Sequence, residues 1–351
     1  MTLAAGSAAS VVLAALLADA LPGASTAAPG QSSLPPALEA FLTEEAHGGA
    51  PERQALLAGE PVTKLLDSAT SQEVAVFGGI WVNAPSTLYV EQVKHIEQFE
   101  KGGSFLITKR ISDPPRADDF AELGISDRDF KDLKDCRVGS CVIRLDAEGM
   151  GLLQSDVDWS KPTARADANA VFRRLALQYV NAYREGGNAK LAVYRNSDRP
   201  TFVASEFRSM VDRLPRFAAE FPDLKRYLLD YPEVTLPHST DFLYWQEVQF
   251  GLRPTIRINH LVIQERGDQT VVASKLLYAS HYFWTALEVR VLLPDPARGH
   301  GFWLVTVNRG RSGGLGGVTG HVIRGRVLSE TQNGAREALV ATKNKLESLA
   351  R

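Results

Sequence analysis

The chain has 351 residues, of which 44% are hydrophobic and 23% charged, and a formal net charge of -2. This composition supports a sizeable core and argues against a disordered chain. The length allows two average domains, or one large domain carrying an insertion. The near-even charge balance provides no global basic surface, so nucleic acid is not expected as a partner.

Residues 1–27 read as a secretory signal peptide. An apolar stretch over 8–18 is followed by Pro22 and Gly23, and Ser25-Thr26-Ala27 fits a small-x-small cleavage pattern. No Lys or Arg precedes Arg53, so the usual basic start is lacking. The stretch is too short to favour a membrane span, and Asp19 interrupts it. The expected location is exported, periplasmic or extracellular. A polar linker and short helices around 36–45 and 51–58 fill 28–69, and the main domain is expected over 70–351.

In that domain "EVAVFGGIWVNA" (73–84) predicts a strand ending at Pro85. The following helix carries Leu88, Val93, Ile96 and Phe99 near helical spacing. "SFLITKRI" (104–111) and "CVIRLD" (141–146) read as strands, and Ser126 sits three residues before Asp129 as a helix-capping start. Cys136 and Cys141 are the only cysteines. In an exported chain a close pair reads as a disulfide closing a small loop, with two buried thiols as the alternative.

Between about 160 and 235 the pattern turns helical, with Val171, Leu175, Tyr179 and Tyr183 along one face. From 241 onward about six strands at short intervals predict an antiparallel meander. Leu287, Val289, Val291 and Leu293 alternate with Glu288 and Arg290. The last of the six strands is expected in "GVTGHVIRGRVLSE". A final amphipathic helix carries Ala335, Ala338, Leu339, Leu346 and Leu349.

The fold class expected is α+β, a curved antiparallel sheet gripping a long C-terminal helix, with a helical block inserted at about 160–235. The order of elements resembles the helix-grip fold of the START and Bet v 1-like superfamily. The resemblance lies in "EVAVFGGIWVNAPSTLYVEQVKHIEQFEK" and in the meander followed by "REALVATKNKLESL", covering roughly 70–160 and 236–351. The chain is also similar to uncharacterised exported bacterial proteins. The superfamily resemblance implies binding of an apolar small molecule in a cavity between sheet and terminal helix.

Three groups of residues bear on a ligand. "SKLLYASHYFW" is dense in aromatics, with Tyr278 and Tyr282 on one alternating face and His281 on the other. His260 shares parity with Ile256, Ile258 and Val262, and Trp245 and Trp303 are large aromatics on other strands of the meander. "NRGRSGGLGGVTG" carries Arg309 and Arg311 beside Gly314, Gly316 and Gly320. A dinucleotide fingerprint needs a helix to start at such a loop. Because a strand is expected there instead, the loop reads as a flexible turn whose arginines face a headgroup.

The expected function is binding of an apolar or amphipathic, lipid-like molecule, with transient membrane contact. The lining residues would be Trp245, His260, Tyr278, His281, Tyr282 and Trp303, with Arg309 and Arg311 at the mouth. No catalytic residue, cofactor or metal site is expected, since no G-x-S-x-G, H-E-x-x-H or Walker pattern occurs. One alternative is an envelope hydrolase using His260 or His281 as general base. Another is an interaction module of the cell envelope.

Overall fold

A computed structural model describes residues 33–251, 253–315 and 317–351. The expected signal peptide, the start of the linker, and Gly316 of the glycine run lie outside these residues.

The chain opens with α1 (Pro36–Ala40), a π-helical turn (Phe41–Glu45) and α2 (Ala50–Leu57). Next come β1 (Val62–Leu65), β2 (Glu73–Val82), α3 (Ser86–Lys94), α4 (Ile96–Phe99) and β3 (Phe105–Arg110). A helical block comprises α5 (Asp127–Leu133), α6 (Ala147–Asp156) and α7 (Ala164–Gly186), then a two-strand ribbon, β4 (Val193–Tyr194) and β5 (Thr201–Phe202), and finally α8 (Val203–Val211), α9 (Pro215–Glu220) and α10 (Pro222–Asp230). Five long strands follow, β6 (Ser239–Phe250), β7 (Arg253–Arg266), β8 (Gln269–Ala279), β9 (Phe283–Pro294) and β10 (Phe302–Ser312), before α11 (Gly317–Leu349).

Eight strands form one antiparallel sheet in the order β1-β2-β10-β9-β8-β7-β6-β3. Alternation sorts their side chains onto two faces. On one face Phe77, Leu287, Val289, Val291, Trp303 and Val305 pack against α1, α2 and α8–α10. On the same face, nearer β3, Leu243, Trp245, Ile256 and Ile258 meet α5–α7. On the other face Ile80, Tyr244, Leu261, Leu292 and Leu304 meet α3 and the terminal helix. The result is three layers, with each sheet face covered by helices.

The α+β class, the large antiparallel sheet and the C-terminal helix match expectation. Ser126 caps α5 as its spacing predicted, its hydroxyl accepting from Asp129 N at 3.1 Å. The disulfide Cys136–Cys141 is formed.

Two expectations fail. The segment "VTGHVIRGRVLS" belongs to α11, so the meander has five strands. Val and Ile favour strands only when a sheet edge is there to receive them. Both sides of β10 are already taken, by β2 and β9. "CVIRLD" is irregular; its backbone bonds go singly to neighbours, Arg144 N to Ser280 O and Arg195 N to Leu145 O.

The terminal helix lies along β1 and β2. Gly78 permits this, because a Cβ there would stand 2.9 Å from Leu339 Cδ1 and 2.6 Å from Thr306 Oγ1. Leu339 and Leu346 are buried on it, whereas Leu349 is exposed at its end. Among the described residues no helix is long and apolar enough to cross a membrane.

Candidate functional site

An apolar pocket opens between the sheet and the helical block. Its floor is Ile256 and Ile258 of β7 and Tyr278 of β8; Phe172, Leu175, Ala176 and Tyr179 of α7 form one wall. Leu145, Asp146 and Gly149, at the start of α6, form another, with Leu123, Ala192 and Tyr194 completing the lining. The sequence builds the α7 wall by helical spacing: Ala168, Phe172, Ala176 and Val180 recur every four residues and are buried. The cavity volume is about 70 Å³. A dry apolar cavity of roughly 150 Å³ admits benzene, so this one suits a compact group and not a long acyl chain.

Tyr278 reaches the pocket through a break in alternation. Ile258 pairs with Tyr278 but Asn259 pairs with Leu276, so Leu277 is the extra residue of a β-bulge. The bulge brings Tyr278 to the face of Ile258, off the face of Leu276 that strict alternation predicts. Three tyrosines meet edge-on there, Tyr179 and Tyr194 each against Tyr278. The Tyr179 hydroxyl donates to Leu277 O at 2.7 Å, and that of Tyr194 accepts from Ala279 N at 3.4 Å. The Tyr278 hydroxyl is buried without a partner among the described residues. Burial holds its pKa well above the ordinary value.

The other expected lining residues are dispersed. Trp245 is buried beside the pocket, donating to Asp119 O at 2.8 Å. Trp303 lies across the sheet, donating to Asp295 Oδ2 at 2.9 Å and meeting Trp81 edge-on. Tyr282 sits at the turn after β8 with φ of 57°, its hydroxyl accepting from Arg253 N. His281 stands 3.1 Å from Asp129 Oδ2. Burial alone would raise the Asp129 pKa, but hydrogen bonds from His281, Arg253 and Ser126 hold it below the usual carboxylate range.

Arg309 and Arg311 do not stand at a pocket mouth. Both are buried and share Glu73, which is itself fully buried; Arg311 also meets Glu206 at 2.8 Å. They lie on the β10 face that packs on α8, where buried guanidinium groups need a carboxylate.

His260 belongs to a hydrogen-bonded chain that sequence reading missed. Its Nε2 is 2.7 Å from Asp241 Oδ2 and its Nδ1 is 2.9 Å from the Tyr183 hydroxyl. Lys275 donates to that hydroxyl at 3.2 Å, to Leu228 O at 3.2 Å, and to Asn188 Oδ1. Burial lowers the His260 pKa, and the Asp241 carboxylate only partly offsets this. A neutral imidazole donating from Nε2 to an ionised Asp241, and accepting at Nδ1 from Tyr183, satisfies every member. Lys275 on an apolar strand face was the available signal.

A general base needs a free lone pair near its target. Both nitrogens of His260 are engaged, neither expected histidine lines the pocket, and Cys141 is tied in the disulfide. Among the described residues no three His, Cys, Asp or Glu side chains gather as a metal site. No protein-family model matches the chain, and no curated protein matches it in sequence.

Proposed function

We propose that this is an exported protein that binds a compact, mostly apolar molecule in the pocket over Ile256, Ile258 and Tyr278. The observation that carries the reading is the pairing of an apolar lining with one buried, unpartnered hydroxyl, that of Tyr278. Such sites bind by hiding apolar area, at roughly 25 cal/mol per Å², while one polar group fixes orientation. An unpaired buried hydroxyl is costly, and a ligand acceptor relieves it. The disulfide favours an oxidising compartment, which supports export. A distant helix-grip relationship remains our reading of the sheet and terminal helix, with the pocket displaced from beneath that helix to beneath α7.

The enzyme reading keeps one supporting feature, a carboxylate beside each histidine. Both nitrogens of His260 are already engaged, by Asp241 and the Tyr183 hydroxyl. The interaction-module reading does not call for an enclosed apolar pocket.

Native mass spectrometry of the purified chain, followed by solvent extraction, tests binding directly. A co-purifying small molecule that is lost in Leu175→Trp, which fills the pocket, is the expected result. Protein free of ligand, with no response to a panel of small apolar compounds, would overturn the proposal.

A further inference from the structure

We propose that the disulfide loop and the β4–β5 ribbon form a docking surface for an anionic lipid bilayer. Val138, Val142 and Phe202 enter the headgroup layer, and Arg137, Arg195 and Arg199 pair with lipid phosphates. The inference does not depend on what the pocket holds.

Backbone bonds make the loop and the ribbon one piece. The loop turns at Gly139, where φ is 87°. Its flanks bond each other, Arg137 N to Ser140 O at 3.0 Å and Ser140 N to Arg137 O at 2.9 Å. Gly139 N donates to Arg195 O at 2.7 Å, and Cys141 N to Asn196 O at 3.2 Å. Across the ribbon Val193 pairs with Phe202, and Tyr194 with Thr201. Tyr194 is buried, so alternation turns Val193 and Arg195 outward, and Phe202 shares the face of Val193. The Cys136–Cys141 bond fixes the loop in advance, so docking orders little further chain.

This piece carries exposed apolar side chains. Val138 is 57% exposed, Phe202 51% and Val142 42%. The other exposed large apolar side chains among the described residues, Leu65, Leu106 and Leu349, sit apart on β1, β3 and the end of α11. Single exposed apolar residues are ordinary, whereas a group of them marks a contact surface.

The charges complement a phosphate-rich layer. Segments 136–142 and 193–202 hold three arginines and one acid, Asp198, a net charge of +2 on a chain whose total is -2. Arg137, Arg195 and Arg199 are all exposed, and among the described residues none is held in an ion pair. Guanidinium forks suit phosphate oxygens, and exposed apolar groups beside open cations suit a bilayer interface. A small loop and two strands of two residues each offer little area. A stable protein interface takes about 800 Å² per partner, and a bilayer sets no such minimum. The surface also adjoins the pocket: Arg195 N donates to Leu145 O at 2.9 Å, and Leu145, Ala192 and Tyr194 line it.

The test floats the full chain with vesicles of phosphatidylcholine alone and of phosphatidylcholine mixed with phosphatidylglycerol. Binding should be confined to the mixed vesicles and fall at high salt. Arg137→Gln, Arg195→Gln and Arg199→Gln should each lower the partition about fivefold, and Phe202→Ser should lower it as well. Tryptophan fluorescence of Val138→Trp should shift to the blue on mixed vesicles and be quenched by brominated lipid; that of Leu349→Trp should not change. No partition onto mixed vesicles would overturn the inference, as would equal partition onto both kinds. Full binding by the triple arginine variant or by Phe202→Ser would place the contact elsewhere and overturn it too. So would self-association of wild type that Phe202→Ser abolishes, without vesicle binding, which would assign the surface to a second copy. Every substituted side chain is exposed, so thermal unfolding should match wild type.

Discussion

Lys275 donates to the Tyr183 hydroxyl from 3.2 Å inside a core where, among the described residues, no acid pairs with it. Its ammonium also lies 4.4 Å from the Phe207 ring centroid. Burial alone drives its pKa well below the ordinary 10.5. Between the depressed native pKa and 10.5, the unfolded chain binds a proton that the native state does not. Stability therefore rises with pH through that window and is complete above the unfolded pKa. Urea midpoints for wild type and Lys275→Met, taken from about pH 7 to about pH 9.5, should diverge, with only the wild type gaining. Parallel curves would show that the lysine does not titrate as its burial requires.

At the solvent end of the same chain, Asp241 accepts from both His260 and Tyr227. Burial pushes its pKa up, but the hydrogen bonds from His260 and Tyr227 outweigh that and leave it below the ordinary value. Its contribution to stability is present above the unfolded pKa near 3.8 and is lost as pH falls through the lower native value. Asp241→Ala leaves two donors without their acceptor and should cost about 1–3 kcal/mol. Asp241→Asn keeps an acceptor and should cost less. Chemical denaturation of both variants checks the order.

Glu73 holds two buried arginines from one fully buried position. Glu73→Gln keeps the shape but removes the charge that Arg309 and Arg311 share. Breaking a buried pair from one side costs about 3–5 kcal/mol. We expect a large fall in melting temperature, with Glu73→Asp intermediate. A variant as stable as wild type would mean that the two guanidinium groups are satisfied by other acceptors.

The Cys136–Cys141 bond closes a loop with a sequence separation of 5. Loop-closure entropy for so short a span corresponds to about 2 kcal/mol. The double variant Cys136→Ser, Cys141→Ser should lose about that much, and wild type in reductant should match it. Equal stability with and without reductant would contradict this.

Parity and spacing made much of the architecture legible. The 287–293 alternation, the Ser126 cap and the amphipathic terminal helix could be read because each is a local pattern with a single geometric meaning. The helix at 317–323 was misread because its Val and Ile content favours a strand, and only the completed pairing of β10 removes that option. The site was less legible. Tyr278 appeared among the candidates, but a bulge set which way it faces, and bulges leave no reliable trace in a single sequence. Arg144 and Lys275 each stand as one charge within an apolar run, "CVIRL" and "VVASKLLYA". That signal marks a buried cation, but it does not say whether an acid elsewhere in the chain comes to meet it. For Arg309 and Arg311 one does, from a residue more than 230 positions earlier.

The strand order also bears on how the chain can assemble. β2 is made early, yet its neighbour opposite β1 is β10, the last strand. Until residues 302–312 exist, β1 and β2 form a lone hairpin, and β9 is an open edge at the rim of the meander. Such pairings across long sequence separations pay their closure entropy late and fold slowly. A chain truncated before Phe302 leaves β2 and β9 as two further unpaired edges, the feature that makes incomplete sheets prone to aggregation.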